Sequence, residues 1–293
     1  MSITFCFVTK DQGVTNEEIA KIQIEFHKNN FEIIEQYRLG KDGVLLEVLN
    51  FSPKDFSYLE KTLALDINFW FKEVEVKKML LADMDSTIIS VECINELAEY
   101  GGVRSEVELL TKKAMSGEMD FVEALKQRVK LLKGLTHQQL ADCYNTRISL
   151  NKGAKTLVKT MNSFGSISVI VSGGFSFFAN KVAQDIGFDQ AFANHLVFDG
   201  SILSGVIKSP ILGTTEKKMV LQKLCTEGNL ALSDVIAVGD GANDIDIVTS
   251  AGIGVSYYGN MRLTEKSDFK LYYSNLRALL YFQGIKESDF ITK

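Results

Sequence analysis

Two aspartates one residue apart, Asp83 and Asp85, lie in Asp83-Met-Asp-Ser-Thr87, directly after the apolar run Met79-Leu-Leu-Ala82. A short run of that kind is what a buried parallel strand shows, and open α/β sheets bind ligands outside the carboxyl ends of such strands. There the alternating carboxylates can aim into one crevice, where such a pair could attack a substrate and transfer a proton. An Asx turn capping a helix would use the same letters; the position after a buried strand favours chemistry. A second strand end carries Ser172-Gly-Gly174 after Ile167-Ser-Val-Ile-Val171, with an apolar helix expected to begin at once. A hydroxyl and bare backbone N–H groups at a helix N-terminus suit an oxyanion or a phosphate, although Ser-Gly-Gly alone is also an ordinary turn.

The third strand end is Gly239-Asp240-Gly241-Ala242-Asn243-Asp244, after Val235-Ile-Ala-Val238. Its glycines let the backbone approach a ligand closely, and Asp240 and Asp244 supply hard oxygen donors of the kind a magnesium ion takes. Bringing Asp83, Asp85, Asp240 and Asp244 together concentrates like charge, which disfavours ionisation unless cations intervene, so a bound magnesium and at least one basic residue are expected. Thr214-Thr-Glu-Lys-Lys218 opens a helix before the third strand and offers Lys217 or, one position round, Lys218; spacing alone does not choose.

The elements that must hold these groups alternate strand and helix after Gly153: a strand over 167–171, a helix over 175–186, a strand over 235–238 and a helix over 244–251. Such alternation argues an α/β fold with a doubly wound, Rossmann-like parallel sheet. Between Glu92 and Leu150 the apolar spacing turns helical throughout, which marks a helical insert at about 89–150 in a core of 77–293. Residues 1–76 read as strand, helix, strand, strand, helix, strand, a small α+β ferredoxin-like, ACT-like unit. Its first helix opens with the capping box Thr15-Asn-Glu-Glu18 and buries Ile19, Ile22, Ile24 and Phe26; Pro53 starts the second helix, and Ile67–Val76 forms the last strand.

Composition narrows the partners. Lys+Arg 32 against Asp+Glu 37 gives a net charge of −5, with no basic block, so nucleic acid is not an expected partner. No apolar run is long enough for a membrane span, and no leader pattern opens the chain. Cys6, Cys93, Cys143 and Cys225 stand far apart without a CxxC pair, which fits a reducing, cytoplasmic setting. The three histidines, His27, His137 and His195, share no helix-face spacing, so catalysis is expected to run on carboxylates.

Taken together, Asp83-Met-Asp-Ser-Thr87, Val91-Glu92-Cys-Ile-Asn-Glu-Leu97, Ala114-Met-Ser-Gly117 with Phe121 and Arg128-Val-Lys-Leu-Leu132, Val171-Ser-Gly-Gly-Phe175, Ala191-Phe-Ala-Asn194 and Val238-Gly-Asp-Gly-Ala-Asn-Asp244 resemble the phosphoserine phosphatases of the haloacid dehalogenase superfamily, over about residues 77–285. The resemblance implies a magnesium-dependent phosphoric monoester hydrolase that makes serine, with Asp83 as nucleophile, Asp85 as general acid and base, and Asp83, Asp85 (through its carbonyl) and Asp240 around the metal, backed by Asp244. It further implies that Ser172, Gly173 and Lys217 hold the phosphoryl group and that Asn243 contacts substrate or phosphate. The helical insert becomes a cap in which Glu92 meets the serine ammonium, Arg128 its carboxylate, and Met115 and Phe121 form an apolar wall. For the front unit it leaves open serine binding, homodimer contacts or simple stabilisation. Val255-Ser-Tyr-Tyr-Gly-Asn260 departs from the Ala-Lys-Pro-like segment common in that family, so a local loop change is expected there.

Overall fold

The computed structural model describes residues 3–115 and 118–292. The chain divides into two compact units, Met1–Leu80 with Lys152–Ile167 and Ser233–Lys293, and Leu81–Asn151 with Ser168–Leu232.

The front of the chain runs β1 (Ile3–Thr9), α1 (Asn16–Lys28), β2 (Glu32–Arg38), β3 (Gly43–Leu49), α2 (Ser57–Leu63) and β4 (Asp66–Trp70), in the order read from the sequence. The strands form an antiparallel sheet in the order β2-β3-β1-β4. Helix α1 starts at its capping box: the Glu18 N–H donates to Thr15 Oγ1 at 3.2 Å and the Thr15 N–H to Glu18 Oε2 at 2.8 Å. Ile19, Ile22 and Phe26 bury against Cys6, Val8, Leu46 and Val48. Ile24, expected among them, is 56% exposed, because a residue five positions after Ile19 falls on the far side of a 3.6-residue turn. Two boundaries also differ. Helix α2 begins at Ser57 rather than Pro53, where Asp55 Oδ1 takes the Ser57 N–H at 2.8 Å. The last strand ends at Trp70 rather than Val76, since its partner β1 is nearly used up once Trp70 pairs with Phe5. The sheet's other face packs Phe7 and Trp70 on Phe269, with ring centroids 5.6 and 5.2 Å apart.

Strand β5 (Met79–Ala82) is wholly buried, as a run of four apolar residues demands. The insert folds into α3 (Cys93–Tyr100), α4 (Arg104–Met115), α5 (Phe121–Leu131) and α6 (His137–Arg147). Then come α7 (Ala154–Ser163), β6 (Ile167–Phe175), α8 (Ser176–Ile186), β7 (Gln190–Asn194), the hairpin β8 (Leu196–Asp199) and β9 (Ile202–Ile207), and α9 (Thr214–Glu227). The chain closes with β10 (Val235–Gly239), α10 (Ile245–Ser250), β11 (Ile253–Tyr257), α11 (Met261–Thr264), β12 (Phe269–Leu271) and α12 (Ala278–Tyr281). The large sheet takes the order β12-β11-β10-β5-β6-β7, and its β10–β11, β11–β12 and β6–β7 ladders are parallel, the doubly wound α/β arrangement expected.

One boundary differs: β6 runs past the expected end at Val171, through Ser172-Gly-Gly174 to Phe175, with a register shift against β7, and α8 starts at Ser176, within one residue of the expected 175. Two glycines let the strand kink and still offer its backbone groups. Cys6, Cys93 and Cys143 are free, and all four cysteines are buried. Among the described residues no helix is long and apolar enough to cross a membrane.

Candidate active site

Asp83 is the first residue beyond β5 and is buried. The Lys217 ammonium, on the first turn of α9 and 0% exposed, donates to Asp83 Oδ1 at 2.6 Å. Burial thus decides between the two lysines, because Lys218 is only half-buried. A cation taken out of water needs a charge partner, so this contact fixes where α9 begins relative to β5.

Asp85 follows Met84 and accepts the Cys93 N–H, at the start of α3, on Oδ1 at 2.9 Å. Burial first, and then the nearby Glu92 charge, push its carboxyl up to about 7, against the pull of that hydrogen bond and of Lys217. A carboxyl poised there can give a proton and later take one near neutral pH. The loop between them is held by Asn151, whose Nδ2 donates to the carbonyls of Thr87 at 2.8 Å and Ile89 at 3.1 Å. Ser86, at φ +57°, donates through Oγ to Glu92 Oε1 at 2.7 Å, which steadies the exposed Glu92 at the N-cap of α3.

On β6, Ser172 is buried, and its Oγ accepts the Gly174 N–H at 2.9 Å, leaving its own O–H to donate. A β-carbon on Gly174 would collide with Asp85 Oδ2, whereas one on Gly173 would meet nothing nearer than 3.8 Å. Gly174 is therefore the glycine that the site's geometry requires. Phe121, the first residue of α5, puts Cζ 3.8 Å from that Gly173 position and Cε1 3.4 Å from the matching point on Gly213. Arg128, further along α5, is buried; its Nε donates to the Ala124 carbonyl at 3.3 Å and Nη1 to Thr111 Oγ1 at 3.4 Å. Burial lowers its pKa from the usual arginine value, and the Glu92 charge works the other way. The side chain of Met115 lies outside the described residues.

At the third strand end Asp244 is fully buried and its Oδ2 accepts the Gly241 N–H at 3.0 Å. Asn243 is half-buried, its Oδ1 filling the space a Gly241 side chain would take. The Asp240 carbonyl accepts the Asn260 N–H at 3.0 Å, and Asn260 also caps α11, so the divergent Val255–Asn260 segment still supports this loop. One carboxylate oxygen each of Asp240 and Asp244 lies within 4.8 Å of the other. An all-oxygen donor set at that spacing fits a hard divalent cation and would repel itself without one.

Asn151 escaped the sequence reading, having no signal beyond standing where the insert returns to the core. Asn194 closes the Ala191-Phe-Ala-Asn194 segment quoted for the resemblance but carries no role there; it ends β7 and is a fourth polar residue at a strand's carboxyl end.

Comparison with known proteins agrees with this geometry. The family model of haloacid dehalogenase-like hydrolases matches residues 80–248. A phosphoserine phosphatase of Archaeoglobus fulgidus is 39% identical over 203 residues, 69% of this chain and 59% of its own length, so the match spans well under two thirds of that relative. One of Methanocaldococcus jannaschii is 36% identical over 206 residues, 70% of this chain and 97% of its own. The crystal structure of a HAD-family hydrolase from Salmonella enterica serovar Typhi superposes with a TM-score of 0.85 at 25% identity, over 96% of this chain and 98% of that one.

Proposed function

We propose that this chain, which belongs to the haloacid dehalogenase-like hydrolases, hydrolyses O-phospho-L-serine to L-serine and phosphate through an aspartyl phosphate. The observation that carries the reading is the pairing of Asp83 with buried Lys217, beside a carboxyl, Asp85, that burial holds near neutrality.

In the first half-reaction a carboxylate oxygen of Asp83 bonds to phosphorus as the bond from phosphorus to the serine oxygen breaks, and Asp85 gives that oxygen its proton. In the second, Asp85, now ionised, takes a proton from water as the water oxygen bonds to phosphorus and the Asp83 carboxylate leaves. Lys217, the Ser172 O–H and the Gly173 N–H hold the other phosphoryl oxygens, where charge gathers in both transition states, and Asn243 contacts the substrate or its phosphate. A magnesium ion held by Asp83, Asp240 and the Asp85 carbonyl, with Asp244 behind them, would supply neutralising charge at that group.

Specificity lies with the insert. Glu92 and Arg128 offer one acid and one base to a zwitterion, the guanidinium able to take a carboxylate with two hydrogen bonds, and Phe121 offers an apolar wall. The relatives' recorded activity supports phosphoserine as substrate and hence the last step of serine biosynthesis. The free thiols of Cys6, Cys93 and Cys143 support a reducing, cytoplasmic setting. We assign residues 1–76 to an ACT-like regulatory domain, for serine binding or homodimer contacts, and 77–293 to the phosphatase core with its cap at about 89–150; the βαββαβ order and four-stranded antiparallel sheet support the first assignment.

Phosphate release from phosphoserine, phosphothreonine and a sugar phosphate, with magnesium or with EDTA, tests the reading. Magnesium-dependent release that favours phosphoserine and vanishes in Asp83→Asn is expected. Cleavage of another phosphomonoester in preference to phosphoserine would overturn the roles of Glu92 and Arg128, and no cleavage at all would overturn the phosphatase.

A further inference from the structure

Asn194 is buried, and its one carboxamide makes three hydrogen bonds to two separate stretches of backbone. Nδ2 donates to the Gly173 carbonyl at 2.9 Å and to the Leu212 carbonyl at 3.1 Å, while Oδ1 accepts the Leu212 N–H at 2.7 Å. Both stretches lead straight to groups that face the phosphoryl site. A trans peptide points its C=O and its N–H in opposite directions, so fixing one fixes the other. With the Gly173 carbonyl on Asn194, the Gly174 N–H on the far side of that plane meets Ser172 Oγ at 2.9 Å, which turns the serine proton outward. With the Leu212 carbonyl on Asn194, the Gly213 N–H on the far side of that plane meets Glu216 Oε2 at 3.0 Å; the Gly213 carbonyl then takes the Lys217 N–H at 3.0 Å and starts α9.

We infer that Asn194 is a positioning residue: it sets the register between the Ser172-Gly173 strand end and the helix start that carries Lys217, so that the hydroxyl, the N–H and the ammonium converge on one phosphoryl group. The inference rests on the phosphatase reading of the same site. Asn194 touches neither substrate nor metal in this scheme, and its effect passes through the backbone of Gly173 and Leu212. An amide is the side chain for the task, since it carries donor and acceptor in one plane and no charge.

The test compares Asn194→Ala and Asn194→Asp with Thr160→Ala. Thr160 is a buried control on α7 whose Oγ1 accepts the Ile291 N–H at 2.9 Å. Asn194→Asp keeps the acceptor for Leu212 and loses both amide donors, so it serves if the alanine variant does not fold. Each protein is assayed well below its thermal midpoint, with phosphoserine and with p-nitrophenyl phosphate, and the inhibition constant of inorganic phosphate is measured. A positioning role lowers kcat/KM by about 100-fold with both substrates and raises the phosphate inhibition constant at least tenfold, while Thr160→Ala changes only the midpoint. Kinetic and inhibition constants within about threefold of wild type in folded Asn194 variants would overturn it. Wild-type protein that ignores phosphoserine but cleaves p-nitrophenyl phosphate removes the substrate assignment and leaves Asn194 to be judged on the second substrate. Wild-type protein that cleaves neither and binds no phosphate removes both proposals.

Discussion

Adjacent glycines in one strand should respond in opposite ways to the same methyl group. In Gly174→Ala the new β-carbon overlaps Asp85 Oδ2 and presses on Met84 Cε and Ser172 Oγ, each 3.1 Å away. Carbon and oxygen settle at roughly 3.5 Å, so the Asp85 carboxylate must retreat by about 1 Å. The cost in stability is that of overpacking, about 1–3 kcal/mol. The cost in rate is larger, because a displacement of about 1 Å in a proton donor is worth on the order of 100-fold, or about 3 kcal/mol of barrier. In Gly173→Ala the nearest neighbours, Leu212 O and Phe121 Cζ, both stand at 3.8 Å, so both stability and the Asp85 position are kept. The assay is rapid-quench formation of the phosphoenzyme with two leaving groups. Serine release by Gly174→Ala should slow about 100-fold, while the burst of p-nitrophenolate, which leaves without a proton, stays near the wild-type rate. A Gly173→Ala protein as slow as Gly174→Ala, or an equal loss with both leaving groups, would refute a displacement of Asp85 as the cause.

Replacing Lys217 by Met leaves Asp83 buried without the cation 2.6 Å away, and breaking a buried pair costs about 3–5 kcal/mol. Urea unfolding in EDTA should show a loss of that order, which magnesium partly restores as turnover stays absent; unchanged stability would contradict the role given to this pair. Asp66 gives a pH test away from the site. Burial pushes its carboxyl up to about 6 from 3.8, against the backbone N–H groups of Tyr272 and Tyr273 that it accepts. A raised carboxyl pKa means that the folded state holds a proton the unfolded chain has released, so its contribution is full below pH 3.8 and lost as pH rises through about 6. The unfolding free energy of wild type minus that of Asp66→Asn should fall by about 2 kcal/mol between pH 4 and pH 7, since each tenfold difference in proton affinity between the folded and unfolded states is worth about 1.4 kcal/mol and the unfolded carboxyl is already more than half ionised at pH 4. A flat difference across that range would show that Asp66 titrates normally.

The groups that bear the chemistry were legible because their positions break a local rule. Asp83, Ser172 and Asp240 each end a run of apolar residues, and a strand buried on both faces reads as such a run whatever its neighbours are. Choices that depend on tertiary contact were not legible: Lys217 and Lys218 differ by about 100° round one helix, and only the position of Asp83, 134 residues away, decides which is buried. Ile24 misled for the same reason, an apolar residue at a spacing that faces water. The hairpin over 196–207 went unread although Gly200 marks its turn, at φ +60°, because its short strands show little alternation.

Positioning residues form a harder class. Asn194 acts on backbone 18 and 21 residues away, and Asn151 on backbone 62 and 64 residues away, and nothing in their own surroundings names those partners. A main-chain amide has the same donor and acceptor wherever it lies, so the partner of a positioning amide leaves no trace in residue type. What remains readable is the economy of the arrangement. A loop that must present its N–H groups to a ligand cannot also pair them in a sheet, and its carbonyls then need a donor from elsewhere. Where a sequence places Ser-Gly-Gly at a strand end, a neutral amide at the end of the neighbouring strand is the natural donor. Asn194 satisfies that rule by its place in the sequence, on the same strand-end grounds that single out Asp83.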